Sequence, residues 1–140
     1  MIKSPTHAET LGVKNPYQTN TCRVLCVCSV GMLRSPTLAN VLHEQLKYNT
    51  RSCGVLDTHA LVPASTALMK WADEIVFVDF DAYSDFIKDN DSFILLSDLK
   101  DNGTVVFILD IPDNYDWNDS ELRNQCYMQY VNKRNLYDME

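Results

Sequence analysis

Cys28, Arg34 and Ser35 form the pattern C-x5-R-S, whose side chains could bind a tetrahedral oxyanion and attack it. If this segment runs from a strand into a helix, its backbone N–H groups point inward and the helix N-terminus adds positive potential. An arginine closes such a loop with a bidentate guanidinium, which lysine cannot imitate. The same positive potential stabilises a cysteine thiolate. The spacing therefore predicts a phosphate-binding loop in which Cys28 is the nucleophile and Arg34 is the phosphate clamp.

The whole loop after the cysteine is expected to contact the phosphate. Its predicted binding residues are Ser29, Val30, Gly31, Met32, Leu33, Arg34 and Ser35. Ser35 could also donate a hydrogen bond to the sulfur, and it suits the N-cap position with Pro36 in the first helical position. The alternative is a buried structural cysteine followed by an ordinary strand-to-helix turn, because C-x5-R-S also arises by chance. The strand before and the helix after favour the anion-binding loop.

A cysteinyl-phosphate mechanism also needs a proton donor for the leaving oxygen. The segment FILDIPDNYDWNDSEL, residues 107–122, offers several aspartates in a loop after a predicted strand. Asp113 is the preferred general acid and Asp110 is its competitor. Tyr115 and Trp117 could form the walls of a pocket and stack on an aryl leaving group. Without the cysteine loop, the simpler interpretation of this segment would be an acidic, solvated loop.

The elements that position these residues follow from the apolar pattern. Nearly continuous apolar runs, typical of strands covered on both faces of a parallel sheet, occur at Arg23–Cys28, Glu74–Val78, Ser92–Leu96 and Val105–Leu109. A weaker strand candidate is Thr50–Cys53. Helical patterns include the stripe Leu38, Val41, Leu42 and Leu46, the stripe Ala64 to Ala72 with Pro63 in its first turn, Asp81–Lys88, and Asp119 to about Asn135 with a capping box at Asn118 and Glu121.

Strands that alternate with helices indicate an α/β fold with right-handed crossovers. Ligands of such folds bind beyond the carboxyl ends of the strands, where Cys28 and the loop after Leu109 both lie.

Length and charge limit the function classes. The chain has 140 residues and a formal net charge of −7, which disfavours nucleic-acid partners. Its apolar runs are too short to span a bilayer and its N-terminus has no signal-peptide core, so a cytoplasmic protein is expected. Its 5 cysteines are an odd number, which argues against a secreted disulfide framework. Residues 1–20 are polar and are predicted to be an irregular N-terminal extension.

Four segments in order resemble the low-molecular-weight protein tyrosine phosphatases, and most closely the small bacterial branch of predicted members. They are VLCVCSVGMLRSPTLANVL at 24–42, TRSCG at 50–54, VPASTALMKWADEIVFV at 62–78 and LDIPDNYDWNDSEL at 109–122. The resemblance covers roughly residues 23–131. It implies a three-layer sandwich with a four-stranded parallel sheet, and a phosphatase-like domain over residues 21–140.

The resemblance also implies residue roles. Cys28 matches the nucleophile, Arg34 the phosphate clamp and Asp113 the general acid, while Ser52 matches a serine that braces the phosphate loop. The implied activity is hydrolysis of phosphotyrosine in a protein, or of a small aryl phosphate, without metal or other cofactor. The oligomeric state is left open.

The loop departs from the family pattern at three positions. Gly31 stands where the family usually has an asparagine, and Val30 where many members have glycine. Leu33 replaces the second cysteine of many members, so the usual protective disulfide within the loop cannot form. These departures bear on turnover and substrate preference more than on fold.

Three other interpretations stay open. The first is a zinc site formed by Cys22, Cys26 and Cys28, although their spacing is unusual for zinc. Cys26 and Cys126 are better explained as core residues, and Cys53 could be a core residue or a functional one. Arsenate reductases share the C-x5-R loop but need further cysteines, and residues 79–104 contain none. A non-catalytic phosphate-binding or partner-binding module on the same fold is the third.

Overall fold

A parallel sheet of four strands is the centre of the computed structural model, which describes residues 22–29, 34–55, 64–116 and 119–139. The strands of this sheet are β1 (Arg23–Cys28), β2 (Asn49–Gly54), β3 (Glu74–Phe77) and β4 (Val105–Ile108). They lie in the order β2-β1-β3-β4, and every neighbouring pair is parallel. The helices of the described residues are α1 (Arg34–Leu46), α2 (Thr66–Trp71), α3 (Phe80–Ile87), α4 (Asn90–Asp101) and α5 (Ser120–Asp138). The α/β fold with a four-stranded parallel sheet is confirmed.

Strand β1 is central because its side chains are apolar on both faces. Val24 to Val27 are fully buried, and Cys28 is 4% exposed. Such a continuous apolar run needs cover on both sides, which a parallel sheet with helices on its two faces provides. β1 therefore pairs with β2 on one side and with β3 on the other. Its Val27 lies opposite Cys53 of β2 and Phe77 of β3.

The helices form two groups that cover the two faces of the sheet. Helices α1 and α5 pack against each other, and α1 covers β1 and β2. Helix α3 packs on α4 and contacts β1 and β3. The chain leaves β1 toward β2 first and later crosses to β3 on the other side, so right-handed crossovers place the connecting helices on opposite faces. The result is the three-layer arrangement that was expected, with its switch of direction at the end of β1.

The strand predicted at Ser92–Leu96 is wrong, since these residues lie within helix α4. Asp89 caps this helix, and its carboxylate accepts a hydrogen bond from the backbone N–H of Ser92 at 3.0 Å. Phe93 and Ile94 are each 48% exposed, so the run is not covered on both faces as a central strand would be. The fourth strand is instead the weaker candidate, which the structure extends to Asn49–Gly54.

Several predicted helix ends shift by a few residues. Helix α2 begins at Thr66 with Ser65 as its N-cap, so the predicted start near Ala64 is too early, and Pro63 lies outside the described residues. Helix α5 is capped by Asp119, whose Oδ1 accepts from the N–H of Glu121 at 2.8 Å. The N-cap expected at Asn118 is therefore wrong. The predicted extension over residues 1–20 lies outside the described residues.

A buried carboxylate holds α5 to the amino-terminal edge of the sheet. Glu74, at the start of β3, is 3% exposed. Its Oε1 accepts a hydrogen bond from the Tyr130 hydroxyl at 2.6 Å, and its Oε2 accepts one from the Cys22 thiol at 2.9 Å. Arg134 forms an ion pair with the same carboxylate. Burial and the Glu74 charge raise the pKa of Cys22 and of Tyr130 well above their usual ranges.

Within the part of the chain that the structure describes, no helix is long and apolar enough to cross a bilayer.

Candidate active site

Cys28 is the last residue of β1, at the carboxyl edge of the sheet where the strand order changes direction. Its carbonyl accepts a hydrogen bond from the N–H of Val55 at 3.0 Å, which extends the pairing with β2 past the strand end. Its side chain is buried, and helix α1 begins six positions later at Arg34. Regular sheet pairing therefore holds the cysteine at the start of the loop.

Ser35 faces the sulfur of Cys28. The Cys28 Sγ and Ser35 Oγ atoms are 3.1 Å apart, and the Ser35 hydroxyl also donates to the carbonyl of Cys53 at 3.3 Å. A serine hydroxyl has one proton, so it can be given to the carbonyl or to an ionised sulfur. The expected N-cap role of Ser35 is wrong, because α1 already begins at Arg34 and the serine lies inside the first turn.

Arg34 is a buried guanidinium, with 8% of the residue exposed. Its Nη1 donates to Asp79 Oδ2 at 2.5 Å and to the carbonyl oxygen of Ile111 at 3.0 Å. The other carboxylate oxygen of Asp79 accepts from the N–H of Ala82 at 2.8 Å, as the N-cap of α3. A charge-assisted contact of this kind fixes the orientation of the guanidinium plane.

Asp113 lies beside the same guanidinium. Its Oδ1 is 3.5 Å from Arg34 Nε, and its side chain is 71% exposed. The segment that carries it continues along β3, since the N–H of Ile111 donates to the carbonyl of Val78 at 3.0 Å. One carboxylate at the site is therefore half-buried with both oxygens hydrogen-bonded, and the other is mostly exposed to solvent.

Asp110 has a different environment from Asp113. Its backbone N–H donates to Gln129 Oε1 at 2.7 Å, and its carbonyl accepts from Gln129 Nε2 at 2.9 Å. These two hydrogen bonds tie the start of the loop to α5, and Asp110 itself is exposed. Of the two aspartates considered from the sequence, Asp113 is the one in ionic contact with Arg34.

The remaining predicted residues are three that the structure describes, all half-buried, and five that it does not, and the three are Ser29, Ser52 and Tyr115. Tyr115 is half-buried and packs against the core. Ser52 is half-buried on β2 beside Cys26, next to the Cys53 carbonyl that Ser35 contacts. The residues outside the described part of the chain are Val30, Gly31, Met32, Leu33 and Trp117.

Two groups at the site were missed by sequence reasoning. These are the Asp79 carboxylate and the Ile111 carbonyl, both on Arg34. Asp79 could have been found, because it follows the predicted strand that ends at Val78 and so must lie at the carboxyl edge of the sheet. The Ile111 carbonyl has no sequence signal, since any residue type supplies one.

The other core cysteines differ from Cys28 in their surroundings. Cys26, Cys53 and Cys126 are fully buried, so the expectation that Cys26 and Cys126 are core residues is confirmed. Burial raises the pKa of Cys53 to about 12 and that of Cys126 to about 12. These side chains remain neutral thiols at ordinary pH and act as packing groups.

Solved structures of bacterial tyrosine phosphatases share this fold at low sequence identity over most of the chain. The tyrosine phosphatase Wzb from Escherichia coli K30, solved in complex with phosphate, is similar with a TM-score of 0.51 and 15% identity, over 86% of this chain and 99% of Wzb. The low-molecular-weight phosphotyrosine phosphatase VcLMWPTP-2 from Vibrio cholerae O395 is similar with a TM-score of 0.51 and 17% identity, over 84% of this chain and 95% of that one. No protein-family model and no curated protein sequence matches the chain. The likeness concerns the fold.

Proposed function

We propose that this protein is a cysteine-dependent phosphomonoester hydrolase that acts on phosphotyrosine or a small aryl phosphate. The observation that carries the proposal is the grouping of Cys28, Ser35 and Arg34 at one edge of the sheet, with the sulfur 3.1 Å from the serine hydroxyl. Asp113 completes it, 3.5 Å from the same arginine. Support also comes from the phosphate complex of Wzb, a protein that shares the fold.

In the proposed reaction the Cys28 thiolate attacks phosphorus in line with the leaving oxygen. The S–P bond forms as the P–O bond to the aryl group breaks, which leaves a cysteinyl-phosphate. Loop amides and the Arg34 guanidinium stabilise the equatorial oxygens, where charge develops. Asp79 and the Ile111 carbonyl hold the guanidinium in place, so little reorganisation is needed when the oxyanion arrives.

Asp113 gives its proton to the leaving oxygen and then takes one from the water that hydrolyses the cysteinyl-phosphate. Its exposure of 71% suits a group that must approach both the leaving oxygen and the water. During the second step Ser35 donates to the departing sulfur, so the developing thiolate has a donor at hydrogen-bond distance. Water enters as the nucleophile and inorganic phosphate leaves, which regenerates Cys28.

The substrate preference rests on the loop after β4. Tyr115, two residues after Asp113, packs against the core with part of its surface in solvent. An aromatic side chain in the loop that carries the proposed general acid favours an aryl leaving group over an alkyl one, if the two rings stack. We therefore expect phosphotyrosine to be preferred over phosphoserine.

The test is hydrolysis of p-nitrophenyl phosphate by the purified chain in EDTA and without added thiol. The proposal predicts turnover that orthovanadate inhibits competitively. Binding of orthovanadate without turnover would instead indicate a non-catalytic phosphate-binding module. Thioredoxin-dependent reduction of arsenate, without phosphatase activity, would indicate an arsenate reductase.

A further inference from the structure

The first residue of the phosphate loop is tied to helix α3. The Ser29 hydroxyl donates to Asp85 Oδ2 at 3.3 Å, across 56 positions of sequence. Asp85 lies in the second turn of α3, and its side chain is 26% exposed. Its other carboxylate oxygen accepts from Lys88 Nζ at 3.0 Å, so the carboxylate has partners on both oxygens.

The same helix also contacts the far end of the loop. Asp79, the N-cap of α3, binds Arg34 at 2.5 Å. Helix α3 therefore presents one carboxylate to the residue that opens the loop and another to the residue that closes it.

We propose that Asp85 is a positioning residue of the phosphate loop, acting through Ser29. It touches neither the phosphate nor the reacting sulfur in this role. Its carboxylate accepts a hydrogen bond from Ser29, the residue that directly follows Cys28, and so orients that residue. The inference rests on the proposed function, because it assumes that residues 29–34 bind an oxyanion.

Charge makes this proposal easy to distinguish from a simple electrostatic effect. Asp85 is an anion on the helix that contacts an anion-binding loop. If only its charge mattered, its removal would strengthen oxyanion binding, because a like charge would be gone. If it holds Ser29 in place, its removal weakens binding. The two explanations predict opposite signs.

The experiment measures the dissociation constant of orthovanadate by calorimetry for a matched set of variants. Asp85→Ala and Ser29→Ala each remove the contact, and each is expected to weaken binding by about fivefold, in line with loss of one charge-assisted hydrogen bond that is partly exposed. The double variant is expected to be no weaker than either single variant, because both remove the same interaction. Asp85→Asn keeps an acceptor oxygen and is expected to bind within about twofold of the parent chain.

Asp81→Ala is the control, since it removes an exposed anion from the first turn of the same helix. It is expected to leave binding unchanged or slightly tighter. Unchanged or tighter binding in both Asp85→Ala and Ser29→Ala would overturn the proposal, as would additive losses in the double variant. A thermal unfolding midpoint for every variant separates lost positioning from lost fold, since binding is compared at a temperature where all are folded.

The vanadate measurement also separates this proposal from the proposed function. A parent chain that binds orthovanadate without hydrolysing p-nitrophenyl phosphate contradicts the phosphatase, while the variants still decide the role of Asp85. A parent chain that binds no orthovanadate overturns both. An active parent chain with unaffected variants overturns the Asp85 role and leaves the phosphatase standing.

Discussion

The amino-terminal and carboxyl edges of the sheet, where its strands begin and end, use the same residue types for different purposes. At the amino-terminal edge, Glu74 is 3% exposed and pairs with Arg134, Tyr130 and Cys22. At the carboxyl edge, Arg34 is also buried, yet one of its two carboxylate partners, Asp113, is 71% exposed. The first arrangement is closed by protein groups, whereas the second opens to solvent at the point where a ligand would enter.

The difference lies in what faces each sulfur. The Cys22 thiol donates to a buried carboxylate, and this contact together with burial raises its pKa, so the sulfur stays protonated. The Cys28 sulfur faces the Ser35 hydroxyl and the start of a 13-residue helix. A donor and a helix N-terminus stabilise an anion, while a carboxylate opposes one. Under the proposed function, the position along β1 decides between the two roles, since Cys22 precedes the start of the strand and Cys28 is its last residue.

The largest expected effect is a loss of turnover when oxygen replaces the sulfur of Cys28. Cys28→Ser is expected to lower turnover of p-nitrophenyl phosphate by at least about a thousandfold, because a serine hydroxyl without a base is a poor nucleophile. Cys22→Ser, its counterpart at the other edge, is expected to keep turnover within about twofold, since Cys22 takes no part in the reaction. Steady-state kinetics at saturating substrate checks both, and equal losses would erase the contrast between the edges.

Asp113 and Asp110, both in the loop between β4 and α5, are expected to differ in their effect on turnover. Asp113→Asn is expected to lower kcat by about a hundredfold and to remove the alkaline limb of the pH–rate profile, since the amide cannot protonate the leaving oxygen. Asp110→Asn is expected to leave both unchanged, because Asp110 is held through its backbone by Gln129. The reverse result would assign the general acid to Asp110.

The amino-terminal edge is expected to affect stability and not turnover. Glu74→Gln removes the charge that pairs with Arg134 and is expected to lower the free energy of unfolding by about 3 kcal/mol, as for other broken buried pairs. The control is Asp73→Asn, which weakens the exposed pair with Arg23 and is expected to cost at most about 1 kcal/mol. Urea denaturation gives both values, and kcat per folded molecule should not change.

An effect confined to alkaline pH concerns the core thiols. The pKa of Cys126 is about 12 in the folded chain, while an unfolded thiol ionises near its ordinary value of about 8.5. At a pH between these two pKa values the folded state holds a proton that the unfolded state has lost. The contribution of the buried thiol to the free energy of unfolding is therefore fully present below the unfolded pKa and decreases as pH rises above it. The slope is up to about 1.4 kcal/mol per pH unit for each such thiol. Cys126→Ala should therefore show a shallower loss of stability between about pH 9 and about pH 11. Parallel slopes in urea denaturation would contradict this.

Part of the fold and half of the candidate site could be predicted from the local sequence pattern. The apolar run of β1 and the spacing from Cys28 to Ser35 are local, and both match the structure. The strand predicted at Ser92–Leu96 is wrong because a short apolar run fits either a strand or a helix, and here the Asp89 cap favours the helix.

The other half of the site depends on topology. The contact between Arg34 and Asp79 joins residues 45 positions apart, and it exists because β3 pairs directly with β1. The contact between Ser29 and Asp85 depends on the same pairing, which brings α3 over the start of the loop. Such contacts need the order of strands in the sheet, which residue spacing does not supply.

The most direct test of the central claim is a crystal structure of the chain soaked in orthovanadate. We expect vanadium bonded to Cys28 Sγ, two equatorial oxygens on the Arg34 guanidinium and the Asp113 carboxylate at the apical oxygen opposite the sulfur. An oxyanion bound away from Cys28, or a soaked loop that holds none while Arg34 Nε keeps its contact with Asp113, would contradict it.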